Sequence, residues 1–295
     1  MRTLTTVADL RRHLAERRAR GGSALTGSAV ALVPTMGALH EGHLSLIRAA
    51  AAEADTVVVS VFVNPLQFDD QLDLARYPRD LDHDAELAAA AGAAVLFTPD
   101  VREMYPPGFA TTISVAGVTD TLEGEHRGRA HFDGVTTVVA KLFAMVGPEM
   151  AYFGQKDAQQ VAVIRRLVAD LNLPILIKVL PTIREPDGLA MSSRNVRLSI
   201  VERNRALALP AALAAARECW LAGRRDVGEI IGAAKKVLAD RGVQPEYVAL
   251  VDPHTFAPVW GDTAGVVLLA LAAPVGQVRL IDNVLLQREP SERKA

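Results

Sequence analysis

The chain has 295 residues, half of them hydrophobic, with a formal net charge of −2 and a pI near 6.4. That length holds two domains or one large α/β domain with a substantial core, and the near-neutral balance excludes a nucleic-acid surface as the main partner, which would need a strongly basic face. The single cysteine, Cys219, excludes an intrachain disulfide and fits a reducing compartment; beside Trp220 and Leu221 it reads as a buried structural thiol.

In chain order, the start predicts a capped amphipathic helix. Thr6 and Asp9 make a capping-box pattern, Val7, Leu10 and Leu14 share a face, and Gly21-Gly22 ends it. This start lacks a signal peptide's apolar core, and no later run reaches the roughly 20 apolar residues that span a bilayer. The expectation is a cytoplasmic protein with no membrane partner. The apolar run 30–33 predicts a buried strand, and Pro34-Thr35-Met36-Gly37-Ala38-Leu39-His40-Glu41-Gly42-His43-Leu44 follows it, with Leu44, Ile47 and Ala51 at helical spacing. A strand-to-helix junction exposes N–H groups without intrahelical partners at the positive end of the macrodipole, which favours an anion. Gly37 and Gly42 let the backbone approach closely, and His40 and His43 can donate to phosphoryl oxygens. The bland alternative is that one histidine caps the helix and the other is exposed. Zinc is set aside, because the His-Glu-x-x-His pattern and a third ligand cluster are absent.

Runs 56–63 and 94–97 predict further buried strands, with helices over 44–53 and 80–91. Asn64 and Gln67 leave the first of these strands at a proline. Their amides suit a small substrate carrying hydroxyls and a carboxylate, though Asn64 also fits a turn role before Pro65. Asp82, His83, Asp84 and Glu86 read as a solvated acidic face, with Mg²⁺ held through water as the alternative, and 123–132 as a solvated mixed-charge loop. A helix is predicted over 136–146, then a strand over 150–153 that ends in Gly154-Gln155-Lys156-Asp157 before a helix over 158–171. Asp157 is an N-cap candidate or a ribose acceptor. Lys156, one of only six lysines, fits a phosphate, and Gln160 lies one turn into the helix. A strand over 175–180 follows. Strands alternating with helices imply a Rossmann-like parallel sheet with helices on both faces, whose ligands lie beyond the carboxyl ends of the strands.

Beyond Pro181 the texture changes. Helices over 201–221 and 227–240 precede β runs at 247–251, 266–271 and 278–286, a smaller α+β domain. The predicted division is 1–182 and 183–295. Ser192, Ser193 and Arg194, just past the boundary, offer hydroxyls and a guanidinium to phosphate and stand where an active-site lid belongs. The tail from Glu289 reads as frayed.

Together these segments resemble the pantothenate synthetase family, the ligases that join pantoate to β-alanine. The match runs in order through 34–43, 61–68, Phe132-Asp133-Gly134-Val135, 153–160 and 188–195. A wider nucleotidyltransferase group shares the His-x-Gly-His signature with class I aminoacyl-tRNA synthetases, whose lysine-serine loop is similar to 191–194. The resemblance implies ATP-dependent ligation of (R)-pantoate with β-alanine, giving pantothenate, AMP and pyrophosphate through a pantoyl-adenylate, with Mg²⁺ present and the enzyme a homodimer. It implies ATP contacts at Met36, Gly37, Ala38, Leu39, His40, Glu41, Gly42, His43, Gly154, Gln155, Lys156, Asp157, Ile183, Met191, Ser192, Ser193 and Arg194. His40, His43, Lys156 and Arg194 are the implied catalytic set, with His43 as proton donor. Gln67 and Gln160 are the implied pantoate amides, Gln67 also lying near β-alanine; no metal ligand is named.

Two positions depart from the family. Gln155 stands where many relatives carry Glu, and Arg127-Gly128-Arg129-Ala130-His131 replaces Arg-Pro-Gly-His, one residue longer, which leaves Arg127 and Arg129 both open for the family arginine. Two other readings share the histidine turn: a nucleotidyltransferase acting on a phosphorylated alcohol, which would want a second cationic site, and a non-catalytic adenine-nucleotide sensor, which would not need Lys156, Arg194 and the two glutamines together.

Overall fold

The computed structural model describes residues 1–20, 29–68, 71–263 and 265–287; the expected helix end at Gly21-Gly22 and the charged tail lie outside them. In chain order the elements are β1 (Arg2–Leu4), α1 (Val7–Arg20), β2 (Val30–Thr35), α2 (Glu41–Glu53), β3 (Thr56–Val61), α3 (Gln71–Arg76), α4 (Leu81–Ala90), β4 (Val95–Phe97), α5 (Val101–Met104), α6 (Glu123–Arg127), α7 (Arg129–Val146), β5 (Met150–Gly154), α8 (Ala158–Asp170), β6 (Leu176–Leu180), α9 (Ile200–Ala206), α10 (Ala208–Leu221), α11 (Val227–Asp240), β7 (Tyr247–Val251), β8 (Val267–Val275) and β9 (Val278–Leu286). Two compact units result. The first is Met1–Ala116, Arg127–Gln155 and Val163–Ile183; the second is Gly117–His126, Lys156–Ala162 and Arg184–Ala295.

The first unit is built on a six-stranded sheet in the order β1-β4-β3-β2-β5-β6, with parallel pairing throughout. Its central strands are apolar on both sides, as a sheet covered on both faces requires. Ala31 and Val33 of β2 with Val57 and Val59 of β3 pack on Ile47 and Ala50 of α2 and Ala88 of α4. The alternating residues Val30, Leu32 and Val58, also fully enclosed, face the other side, where α7 packs on β2 and α1 on α7. Winding runs from β2 through β3 to β4, and β5 and β6 add on the opposite side of β2. The direction therefore reverses at β2, which opens a crevice beyond its carboxyl end.

The second unit lays α10 and α11 on the antiparallel sheet β7-β8-β9. Trp220 is enclosed in this core and donates from Nε1 to the Gln287 carbonyl at 3.1 Å. Cys219 is only half-buried at the margin of the core, not enclosed as expected. The single helix expected over 201–221 is two. Pro210 has no N–H and its ring crowds the carbonyl four residues back, so the chain closes α9 at Ala206 and starts α10 afresh with the proline in its first turn.

Candidate active site

The turn between β2 and α2 is held from inside. Gly37 has φ +82° and Ala38 φ +50°, and a Cβ on Gly37 would stand 2.8 Å from Asp84 Oδ2 and 2.9 Å from a Val61 methyl. Asp84, only 2% exposed, accepts from the Ala38 N–H at 2.9 Å through Oδ2 and from the Leu39 N–H at 2.7 Å through Oδ1. The strained left-handed Ala38 is thus fixed by a bidentate carboxylate. Asp84 is no member of a solvated face. It lies four residues before buried Ala88 on α4, on the helix's inward stripe.

Both histidines serve the helix start. His40 is the N-cap, with Nδ1 accepting from Gly42 N–H at 3.2 Å, and His43 Nδ1 accepts from His40 N–H at 3.4 Å, a capping box made of two imidazoles. Their ring centroids lie 4.1 Å apart. The alternative of one capping and one exposed histidine is therefore wrong, and several backbone N–H groups of the turn find partners within it. Those of Ala38, Leu39 and Gly42 bond to side chains, and that of His43 bonds to the His40 carbonyl at 2.8 Å. With Nδ1 as acceptor, each neutral ring carries its proton on Nε2, and that N–H is what each ring can offer a phosphoryl oxygen.

Gln67 closes the 3₁₀ turn Pro65–Gln67 after β3. Its Nε2 donates to Met36 Sδ at 2.8 Å and its Oε1 accepts from Asn64 Nδ2 at 3.1 Å. Asn64 is 1% exposed. Its Oδ1 accepts from Leu66 N–H and Tyr105 O–H, and its Nδ2 also donates to the Gly134 carbonyl, so the structural role is realised. The His131 ring meets the Gln67 carbonyl through Nδ1 at 2.7 Å. A carbonyl only accepts, so Nδ1 carries the proton, and Nε2 accepts from Arg127 Nη1 at 3.2 Å. Arg127 is half-buried against this group while Arg129 is exposed. The segment read as a solvated loop is thus partly α6 and the start of α7; of the two arginines left open, Arg127 is the one set against Gln67, and His131 is the residue that sequence reasoning passed over. A Cβ on Gly134 would stand 2.3 Å from the Leu66 carbonyl oxygen, which is why a glycine sits inside this helix.

Gly154 ends β5 and Gln155 opens the 3₁₀ turn Gln155–Asp157, while Ile183 follows β6; all three belong to the first unit and are half-buried. The remaining expected residues belong to the second. Lys156 is half-buried with Nζ 3.7 Å from an Asp157 carboxylate oxygen. Gln160 is half-buried on α8, and its neighbour Gln159 is the enclosed amide, bonding to the Val118 and Thr121 carbonyls and the Glu123 N–H. Met191, Ser192, Ser193 and Arg194 are half-buried, with Ser192 Oγ accepting from Arg194 N–H at 3.3 Å. Among the described residues no three His, Cys, Asp or Glu side chains stand together as a metal ligand set, and no helix is long and apolar enough to cross a membrane.

The family model of pantoate-β-alanine ligase matches residues 2–285. A pantothenate synthetase from Moorella thermoacetica is 51% identical over 288 residues, covering 97% of this chain and 99% of that protein. A crystal structure of pantothenate synthetase from Thermus thermophilus aligns with a TM-score of 0.89 at 45% identity, over 98% of this chain and 100% of that one. A pantoate-β-alanine ligase from Francisella tularensis, solved in complex with β,γ-ATP and β-alanine, aligns with a TM-score of 0.79 at 32% identity, over 99% and 100%. With the strand order, the histidine-capped turn and these full-length matches in agreement, the chain is an enzyme of the pantoate-β-alanine ligase family.

Proposed function

We propose that this enzyme joins (R)-pantoate to β-alanine through a pantoyl-adenylate, with ATP as co-substrate and AMP and pyrophosphate as the other products. The observation that carries the reading is the contact between Gln67 and Met36, 2.8 Å, which sets a neutral substrate amide against the histidine-capped turn. The ligands of the Francisella relative support ATP and β-alanine as substrates here.

Pantoate's carboxylate is ionised at neutral pH, so its attack on the α-phosphate needs no general base. It needs charge neutralisation and alignment. His40 and His43 offer Nε2–H groups to phosphoryl oxygens, with His43 as proton donor. Met36 to Leu39, Glu41 and Gly42 shape the turn. Gln67 and Gln160 orient pantoate, and their neutrality leaves its nucleophilic oxygen unquenched. Arg127, hydrogen-bonded to the His131 ring that meets the Gln67 carbonyl, takes the place of the family arginine. Gly154 to Asp157, Ile183 and Met191 to Arg194 complete the ATP contacts, with Lys156 and Arg194 opposing charge on the departing pyrophosphate. Mg²⁺ is proposed as an ion carried on the nucleotide phosphates. The β-alanine amine then attacks the acyl carbon of the adenylate and AMP leaves.

In this reading, residues 1–182 bind nucleotide and pantoate, 183–295 act as a lid that keeps water from the adenylate, and the enzyme is a cytoplasmic homodimer. The test is pyrophosphate–ATP isotope exchange with and without pantoate, β-alanine being left out. Exchange that requires pantoate is the expected result. Its absence in protein that binds ATP would overturn the adenylate route.

A further inference from the structure

β9 carries two consecutive enclosed polar residues, Asp282 at 2% and Asn283 at 6% exposure. Its positions Val278, Leu280 and Leu286 belong to the apolar core with α10 and α11. Strand alternation places Asp282 in register with them and Asn283 on the opposite face. A carboxylate there is costly unless fully paired, and apolar residues would hold the strand at least as well. The polar pair therefore has to be explained by what it holds.

Asp282 holds the start of the 184–195 segment. Its Oδ2 accepts from Arg184 Nη1 at 2.7 Å, and its Oδ1 accepts from Arg184 Nη2 at 3.0 Å and from Asn283 N–H at 2.8 Å. Arg184 also donates to the Gly188 carbonyl at 3.1 Å and pairs with Ala190 in an antiparallel bridge, so the segment is a closed hairpin. Met191 to Arg194 follow at once, and Asn195 beyond them donates back to the Ala190 carbonyl at 3.0 Å and to Glu185 at 2.6 Å. On the other face of β9, Asn283 Nδ2 donates to the backbone carbonyl of Lys156 at 2.9 Å.

We propose that Asp282 and Asn283 are positioning residues that hold Lys156 and the Ser192–Arg194 segment in one fixed relation, each anchored to an adjacent residue of a single strand. This rests on the adenylation reading above and deepens it, since it says how two separate stretches of chain present their cations together. Adjacent strand residues are about 3.3 Å apart along the chain, so neither anchor can shift without the other. Charges fixed before the reaction need no reorganisation when the pyrophosphate departs.

The test uses Asn283→Ala and Asp282→Asn in the full chain, with Lys156→Ala as reference. Pantoate-dependent pyrophosphate–ATP exchange should fall at least tenfold in kcat in both variants, while the KM for β-alanine in the full reaction stays within twofold. In the Lys156→Ala background, Asn283→Ala should add less than twofold, because the group it positions is gone; a merely structural role would add in full. Amide hydrogen exchange supplies a readout without turnover. Segment 156–160 should exchange faster in Asn283→Ala and 185–195 in Asp282→Asn, with α10 and α11 unchanged. If Asp282→Asn fails to fold, Asn283→Ala alone decides. Wild-type rates in Asn283→Ala, full additivity with Lys156→Ala, or unchanged protection at 156–160 would each overturn the proposal. Wild-type protein with no pantoate-dependent exchange would instead remove the adenylation reading, and the hydrogen-exchange result would still decide for or against the brace.

Discussion

At the scale of single residues, the proposed roles separate by what each substitution leaves intact. His43→Ala and Lys156→Ala should lower the single-turnover adenylation rate by about tenfold or more with the fold preserved, as loss of one charge-stabilising donor does. Gln67→Ala should raise the KM for pantoate and leave that for ATP nearly unchanged, which steady-state kinetics with each substrate varied would read. Asp84→Ala belongs to another kind, since it strips the partner from two N–H groups and frees a left-handed alanine. A loss of about 1–3 kcal/mol per unpaired group, read by denaturant unfolding, should accompany a fall in adenylation. The histidines were legible in the sequence because two of them flank Glu-Gly at a helix start. Asp84 was hidden among Asp82, His83 and Glu86, and only its place four residues before Ala88 on the apolar stripe distinguishes it.

At the scale of elements, the close approach of α7 to the turn at Pro65–Gln67 is the most exposed to test. Gly134→Ala would push a methyl into the Leu66 carbonyl, and overpacking of this kind costs about 1–3 kcal/mol. The backbone at Gln67 must yield, so the variant should lose pantoate affinity along with thermal stability; unchanged pantoate KM in a folded variant would contradict it. The strands of the parallel sheet could be read directly, because runs such as 30–33 and 150–153 are apolar on both faces. β1 could not. Its three residues, Arg2–Leu4, are mostly exposed and become a strand only by pairing with β4. The start of α7 was equally opaque: 129–132 reads as the end of a mixed-charge loop until His131 is seen turned inward onto the Gln67 carbonyl. The break between α9 and α10 was written in Pro210, but an alanine-rich run on either side masks a proline's effect.

At the scale of the whole molecule, linear order and compact units differ. Segments Gly117–His126 and Lys156–Ala162 group with Arg184–Ala295. Glu123 takes a bidentate pair from Arg279 at 2.7 and 2.8 Å and the Tyr247 hydroxyl at 2.6 Å, and Gln159 ties down Val118 and Thr121. A fragment beginning at Arg184 would leave Arg279 without its main partner, and it should show no cooperative melt by circular dichroism. Stability of the full chain should fall at both ends of the pH range. Glu41 beside Arg48 and Glu53 beside Lys178 hold their protons more weakly than usual, so what they contribute is present above the ordinary carboxylate range and is lost as pH falls through and below about 4. Burial raises Tyr105, and burial together with Glu53 pushes Tyr152 up to about 12; their contribution is complete below about pH 10 and is lost above it. Urea midpoints across that range would show both shoulders. The carboxylate under the histidine turn has one further effect, on which solutes the enzyme ignores. Asp84 already occupies two backbone donors that a general anion cradle would leave open, so sulfate and inorganic phosphate lack those two donors there, and even at millimolar levels they should inhibit adenylation only weakly.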